Sequence, residues 1–291
     1  MQTIGAFNQL QDSLGFFVQS YKPIAEWCSV VERLSGFERT LERVRIQAAT
    51  EAGVRCADGD ATEVTVEGVD LYLPNGQSLI ADVNLSLLRG DTVLLGGASG
   101  SGKSTLFRAI AGIWPFGRGE IRRPRGRQVL FLPQKPYLPI GTLREVVSYP
   151  MPAGGVDDVT LREALAAVGL RELAERLSEA GHWALQLSPG EQQRIAFARA
   201  LVQKPDWLFL DEATSAVDET TEARLYRLVR ERLAGTTVFS VGHRATLRPF
   251  HSRQLLVHTN GKGPSSIVEV TAAPELARGI SMRDKVAAMA G

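Results

Sequence analysis

Gly97-Ala98-Ser99-Gly100-Ser101-Gly102-Lys103-Ser104-Thr105 stands between an apolar run, Thr92-Val93-Leu94-Leu95, and a helical pattern, Leu106-Phe107-Arg108-Ala109-Ile110. The order strand, glycine loop, helix, with G-x-x-x-x-G-K-[ST] spacing, is that of a phosphate-binding loop. Glycines let successive backbone N–H groups turn inward around a β-phosphate at the positive end of a helix. Lys103 adds a mobile positive charge for the β- and γ-phosphates, and Ser104 offers a hydroxyl to Mg²⁺. These residues predict a nucleoside-triphosphate site.

Downstream, apolar runs alternate with helical patterns. Strands are predicted at 128–132, 207–210, 236–241 and, more weakly, 254–258, and helices at 142–149, in two pieces over 158–180 divided near Gly169, at 190–203 and at 219–234. Alternation of this kind implies a parallel sheet flanked by helices. Upstream, Glu63–Glu67, Val69–Leu73 and Val83–Leu87, with a turn at Pro74-Asn75-Gly76, read as a small antiparallel sheet. Asp211 and Glu212 end the strand 207–210, and ligands of open α/β sheets sit beyond the carboxyl ends of strands. An aspartate there can hold Mg²⁺ through water, and the adjacent glutamate can orient or deprotonate the water that attacks the γ-phosphate.

Leu187-Ser188-Pro189-Gly190-Glu191-Gln192-Gln193-Arg194 opens the helix 190–203. Ser188 as N-cap, Pro189 at the first helical position and Glu191 at the third predict a capping box. With the glycine loop and the acid pair, this segment resembles the ATP-binding domain of ATP-binding-cassette (ABC) transporters, whose signature reads L-S-G-G-Q. The resemblance covers about residues 63–262. It implies an α/β, P-loop NTPase fold of the ABC ATPase kind: a parallel core sheet, an antiparallel β subdomain and a helical signature subdomain.

It also implies ATP and Mg²⁺ as cofactors, ATP hydrolysis, and a head-to-tail homodimer in which the signature of one subunit meets the γ-phosphate held by the other. Gln134 then matches the glutamine that senses Mg²⁺ and the membrane domain, and Ser215-Ala216-Val217-Asp218 the loop that crosses the dimer interface. His243 matches the switch histidine on the γ-phosphate. Metal would be served by Ser104, Gln134 and Asp211, catalysis by Glu212 and His243, and the partner's site by Ser188, Gly190, Glu191 and Asp218. Two positions depart from the family pattern. Pro189 replaces a glycine and removes one N–H, leaving Gly190 and the Ser188 hydroxyl as donors, and Glu191 puts a carboxylate where glutamine is usual. If the capping box forms, that carboxylate turns back to Ser188 and the signature works. The family's adenine-stacking tyrosine aligns with Leu73, beside Tyr72: Tyr72 stacks on adenine if the register slips by one, and otherwise Leu73 offers an apolar shelf.

Residues 3–49 carry apolar side chains at helical spacing, with Phe7, Leu14, Tyr21 and Cys28 in one column and Leu10, Phe17, Ile24 and Val31 in another. This is one long amphipathic helix or two, and Pro23 predicts a kink or a new start, unless neighbouring helices compensate as they do in membranes. A helix of forty-odd residues cannot bury its stripe against itself, so it calls for a partner surface. Gly112-Ile113-Trp114-Pro115, Leu132-Pro133-Gln134-Lys135-Pro136-Tyr137 and Gly242-His243-Arg244-Ala245-Thr246-Leu247 resemble the SbmA/BacA-like fused permease-ATPases and the peroxisomal subfamily D transporters. In those families the first forty-five residues would be the cytosolic end of the last membrane helix, and the cargo a peptide, cobalamin or a fatty-acyl group. The implied organisation is a transmembrane-domain end over 1–49, a linker over 50–62, the ATP-binding domain over 63–265 and a tail over 266–291 with a helix at 272–290. The resemblance further implies that the rest of the transmembrane domain is largely absent from the chain, and that the location is the inner (plasma) membrane, ATP-binding domain on the cytoplasmic side.

The 291-residue chain is 44% hydrophobic and 22% charged with a net charge of +1, a globular composition whose balance recruits no nucleic acid. Arg118, Arg122, Arg123, Arg125 and Arg127 crowd one stretch, read as a solvated loop between strands. Cys28 and Cys56 lack metal-ligand spacing and read as reduced thiols. No run of eighteen apolar residues and no signal peptide occurs. Two other readings remain open. A soluble, non-transport ABC ATPase acting as a mechanical switch would need a basic, aromatic-bearing surface or an inserted coiled-coil arm, and neither is evident. A phosphate-loop kinase or GTPase would have no use for the signature helix.

Overall fold

Alternating inward and outward side chains of one fully buried strand, Trp207–Asp211, divide the core in two. The computed structural model describes residues 2–50, 53–152, 154–259 and 263–270. It falls into two units, 1–52 and 53–291. The first is a single helix, α1 (Gln2–Thr50), 49 residues and so roughly 74 Å long at 1.5 Å per residue. Helix α1 runs through Pro23 without a new start, the single-helix alternative. Among its described side chains, Tyr21, Ile24, Trp27, Leu34, Phe37 and Leu41 are all at least half exposed.

The second unit runs β1 (Arg55–Gly59), β2 (Glu63–Tyr72), β3 (Ser78–Leu88), β4 (Thr92–Gly97), α2 (Lys103–Ile110), β5 (Gly117–Pro124), β6 (Val129–Leu132), β7 (Gly141–Thr142), α3 (Leu143–Ser148) and α4 (Asp158–Ala167). A 3₁₀ turn (Arg171–Arg176) leads to β8 (Ala180–Gly181), α5 (Trp183–Gln186), α6 (Pro189–Gln203), β9 (Trp207–Asp211), α7 (Glu219–Arg232) and β10 (Thr237–Val241). A second 3₁₀ turn (Ala245–Phe250) precedes β11 (Arg253–His258) and β12 (Ser266–Val270). The larger sheet has the order β12-β11-β4-β10-β9-β6 and is parallel except for the edge pair β11–β12. Every residue of β9 and β10 is buried, as expected of parallel strands covered on both faces. Leu208 and Leu210 pack with Phe197, Ile195, Leu161 and Leu225 of the helical side. Trp207 and Phe209 face the other way, among Leu106, Phe107 and Ile110 of α2 and the residues of the smaller sheet.

Because the strands are parallel and in register, the carboxyl ends of β4, β6, β9 and β10 emerge along one edge of the larger sheet. The loops 97–102, 133–137, 212–218 and 242–244 are thereby brought together from across the sequence.

Several expectations are corrected. The stretch 50–62 is not simply a linker: Arg55–Gly59 is β1, paired in parallel with β5. The smaller sheet, β1-β5-β2-β3, is therefore mixed, and takes β5 from beyond the glycine loop. The crowded arginines lie mostly on β5 and are paired: Arg118 with Asp70, and Arg122 with Glu120 and Glu67, while Arg123 Nη1 donates to the Ala111 carbonyl. Residues 158–180 hold one α-helix and a 3₁₀ turn rather than two helices, divided where predicted, at Gly169 with φ +80°. Residues 266–270 are not tail but the edge strand β12. The helix predicted over 272–290 lies outside the described residues.

Candidate functional site

The turn from β4 into α2 is made by glycines in left-handed conformations, Gly97 (φ +138°), Gly100 (φ +75°) and Gly102 (φ +98°). A Cβ at Gly102 would stand 2.7 Å from Ile80 Cδ1, so both backbone angle and space demand glycine there. Ala98, Ser99 and Gly100 are exposed at the loop tip, Thr105 is half-buried, and Lys103 is only 4% exposed. Lys103 Nζ donates to the carbonyls of Gly97 (3.0 Å) and Ala98 (2.7 Å), lying across the mouth of the loop. Burial holds the lysine pKa below its usual value, against the pull of Glu212 and Asp211. Ser101 Oγ is buried with no partner.

Next to the lysine, Ser104 Oγ donates to Asp211 Oδ1 at 2.9 Å. Burial raises the pKa of Asp211, and the Ser104 hydroxyl partly offsets it. Glu212, just past β9, has a left-handed backbone (φ +48°), uncommon for a residue with a side chain. Its N–H donates to the Val241 carbonyl at 3.1 Å, which anchors it to the end of β10. That placement sets Glu212 Oε1 2.9 Å from His243 Nε2. Gln134 follows β6 and lines one groove with Ser104 and Asp211.

At the start of α6 the capping box forms. Ser188 Oγ accepts the Glu191 N–H (3.3 Å), while Glu191 Oε2 accepts both the Ser188 N–H (2.8 Å) and the Ser188 hydroxyl (2.6 Å). The Ser188 hydroxyl bond holds the Glu191 carboxyl below its usual pKa. The Glu191 carboxylate turns back to Ser188 as expected, but the serine hydroxyl is not a free donor: its proton already serves Glu191. Ser188 and Pro189 are exposed and Gly190 half-buried, so the helix tip opens outward. Beside it, Asp218 caps α7 by accepting the Thr221 N–H (2.9 Å) and hydroxyl (2.7 Å), and it lines the same hollow as Ser188 and Gly190.

The structure thus brings together residues 97–105, Gln134, Asp211, Glu212 and His243, and separately Ser188, Gly190, Glu191 and Asp218. Tyr72 joins neither group. Its hydroxyl donates to Asp70 Oδ2 (3.4 Å), next to Arg118, and Trp114 Nε1 donates to its carbonyl. Sequence reasoning missed Gln193, which is 2% exposed. Its Nε2 donates to the Gln134 carbonyl (2.9 Å) and Ser215 Oγ (3.1 Å), and its Oε1 accepts the Ala216 N–H (2.8 Å). It also missed Glu222 and Arg244, which join the segments after β9 and β10. For Arg244 the signal was its position directly after His243.

Residues 80–215 match the ABC transporter family model. An ABC transporter ATP-binding protein of Haemophilus influenzae is 39% identical over 254 residues, covering 87% of this chain and 42% of that protein. The inner membrane ABC transporter ATP-binding protein YddA of Escherichia coli is 35% identical over 243 residues (84% and 41%), and ABC transporter D family member 1 of Dictyostelium discoideum 36% over 222 (72% and 30%). The chain spans about two-fifths or less of the length of these relatives. The structure of a bacterial Atm1-family ABC exporter with ATP bound superposes with a TM-score of 0.64 at 23% identity, covering 82% of this chain and 44% of that one, a likeness of fold.

Proposed function

The chain belongs to the ABC transporter family through its ATP-binding domain, and from that membership we propose that it hydrolyses Mg²⁺-ATP in a head-to-tail homodimer whose closing and opening drive a membrane domain. Lys103 and the N–H groups of residues 98–104 bind the β- and γ-phosphates. The donors near Asp211 suit a hard divalent cation, all being oxygens, and a buried carboxylate with a raised pKa gains from a cation beside it. Ser104, Asp211 and Gln134 would hold that ion, which supplies charge neutralisation at the phosphate oxygens.

Glu212 orients the attacking water and takes up its proton, and His243 holds the γ-phosphate in place while keeping the Glu212 carboxylate aimed. The tip of α6, with Gly190 as the N–H donor left by Pro189 and by the engaged Ser188 hydroxyl, completes the partner's site together with Asp218. Its outward opening supports this role. Leu73 serves as the apolar shelf for adenine, since Tyr72 is engaged with Asp70. Among the described residues no helix is long and apolar enough to cross a membrane. We place the domain on the cytoplasmic side of an inner or plasma membrane, in line with the location in the name of the Escherichia coli relative.

The 2.9 Å approach of Glu212 to His243 at the carboxyl end of the sheet carries the reading. In Glu212→Gln, ATP binding is retained and an ATP-loaded dimer accumulates, while turnover falls by about 10²- to 10⁴-fold. Turnover at the unsubstituted rate would overturn the assignment.

A further inference from the structure

Glu222, on α7, is a carboxylate only 2% exposed. It is satisfied from two different segments: Thr214 Oγ1 donates to Oε1 (2.6 Å) and Thr246 Oγ1 to Oε2 (2.7 Å). Arg244 closes the arrangement. Its Nη1 donates to the Val217 carbonyl (2.9 Å) and lies 3.5 Å from Glu222 Oε1, and its Nη2 reaches the Ser215 carbonyl at 3.4 Å. Thr214, Ser215 and Val217 follow Glu212 in the chain, and Arg244 and Thr246 follow His243. The two segments that meet at the Glu212–His243 pair are therefore fastened a second time, around a buried charge. They cannot part without stranding that charge, which burial makes costly.

The far side of the same loop is also held, by Gln193 Oε1 on the Ala216 N–H. Asp218, two residues on from Ala216, lines the hollow at the tip of α6. Arg244, the residue after His243, thus holds the carbonyls of residues 215 and 217, the second of which adjoins Asp218 in the chain.

We propose that Arg244 is a positioning residue that couples the γ-phosphate end of a subunit's own site to the 215–218 loop it presents to its partner. The coupling rests on the head-to-tail dimer proposed above. Its effect passes through the loop carbonyls and Glu222.

The test uses the full chain in the Glu212→Gln background, with a fluorescent ATP analogue titrated at protein concentrations too low for association and ATP-driven dimerisation followed by sedimentation. Arg244→Gln is expected to weaken dimerisation about tenfold or more while changing analogue affinity less than about twofold, in the range of typical coupling energies. Arg244→Lys keeps a positive charge beside Glu222 but cannot reach both carbonyls. It is expected to melt with the parent and to dimerise with intermediate strength, which separates positioning from folding. Parental dimerisation by Arg244→Gln would overturn the coupling alone. So would equal losses of analogue affinity and dimerisation in both variants. A parent that binds ATP yet never dimerises would overturn the dimer reading, and the coupling with it.

Discussion

Ser104 and Asp211, 107 positions apart in the chain, are joined by a hydrogen bond of 2.9 Å from the serine hydroxyl to Oδ1 of the aspartate. The bond sets a neutral and an anionic oxygen side by side at the end of the sheet, next to Lys103. Burial raises the Asp211 pKa, so above 3.8 the folded chain keeps the proton that the unfolded chain gives up. Stability from this group is thus greatest in acid and is lost as pH rises through the raised value. A cation bound there reverses the trend by favouring the ionised form. Asp211→Asn is expected to raise the Mg²⁺ concentration for half-maximal ATPase about 10- to 100-fold. Its metal-free melting temperature should vary less across the acidic range. Thermal melts with and without Mg²⁺-ATP, against pH, check both.

Lys103 carries the opposite sign. Its folded pKa lies below 10.5, chiefly through burial, so between the two values the unfolded chain holds more protons and stability rises with pH across that alkaline window. Replacement by methionine removes a buried charge whose partners include two loop carbonyls. Lys103→Met is expected to melt no lower than the parent without nucleotide, yet to lose the stabilisation that ATP confers, about 2.7 kcal/mol at a hundredfold excess over Kd. Differential scanning fluorimetry with an ATP titration decides it; a parental ATP shift in the variant would remove the lysine from the site.

The capping box at Ser188 and Glu191 predicts a separable pair of effects. Glu191 has a depressed pKa, so its contribution is present above 4.5 and is lost as pH falls through the folded value. Glu191→Gln can still accept from the Ser188 N–H and hydroxyl, and should dimerise on ATP nearly as the parent does. Ser188→Ala removes the cap and should cost about 1 kcal/mol of stability. It should also weaken ATP-driven dimerisation. A silent parent rescued by Glu191→Gln would show instead that the carboxylate obstructs the phosphate.

The phosphate loop, the acid pair and the capped helix were legible because each is local: the glycines, the lysine and the capping residues act on their own turns. Strands β9 and β10 were legible because burial on both faces demands unbroken apolar runs. Strand β1 was not. Its sequence, Arg-Cys-Ala-Asp-Gly, is polar, and its stability comes from pairing Arg55 with Glu120 and Gly59 with Pro124, far along the chain. Pro23 left one helix or two open, and its local penalty of about 3 kcal/mol does not divide this helix of 49 residues. Gln193 reads as one more amide in a polar run, and only the fold shows it bonded to Gln134, 59 positions away. Glu222 likewise resembles a solvated helix residue until Thr214, Arg244 and Thr246 close over it.

His243 offers the sharpest separation of binding from chemistry. The imidazole meets Glu212 at 2.9 Å, whereas the loop proposed to grip the phosphates is made of Lys103, Ser104 and backbone N–H groups. Removing the ring leaves the loop's contacts in place, takes away a γ-phosphate contact made mainly in the transition state, and frees the carboxylate to swing, because the Glu212 backbone remains pinned to Val241 while its side chain loses its partner. An interaction made mainly in the transition state lowers kcat and kcat/KM together and leaves binding alone. His243→Ala is therefore expected to lower kcat about 10²- to 10³-fold with nucleotide affinity nearly unchanged. Adding Glu212→Gln should lower turnover little further, because two residues acting as one unit are not additive. Steady-state kinetics on the two single variants and the double variant measure this directly. Fully multiplicative losses would mean that the pair acts as two independent groups and that their contact has no part in the reaction.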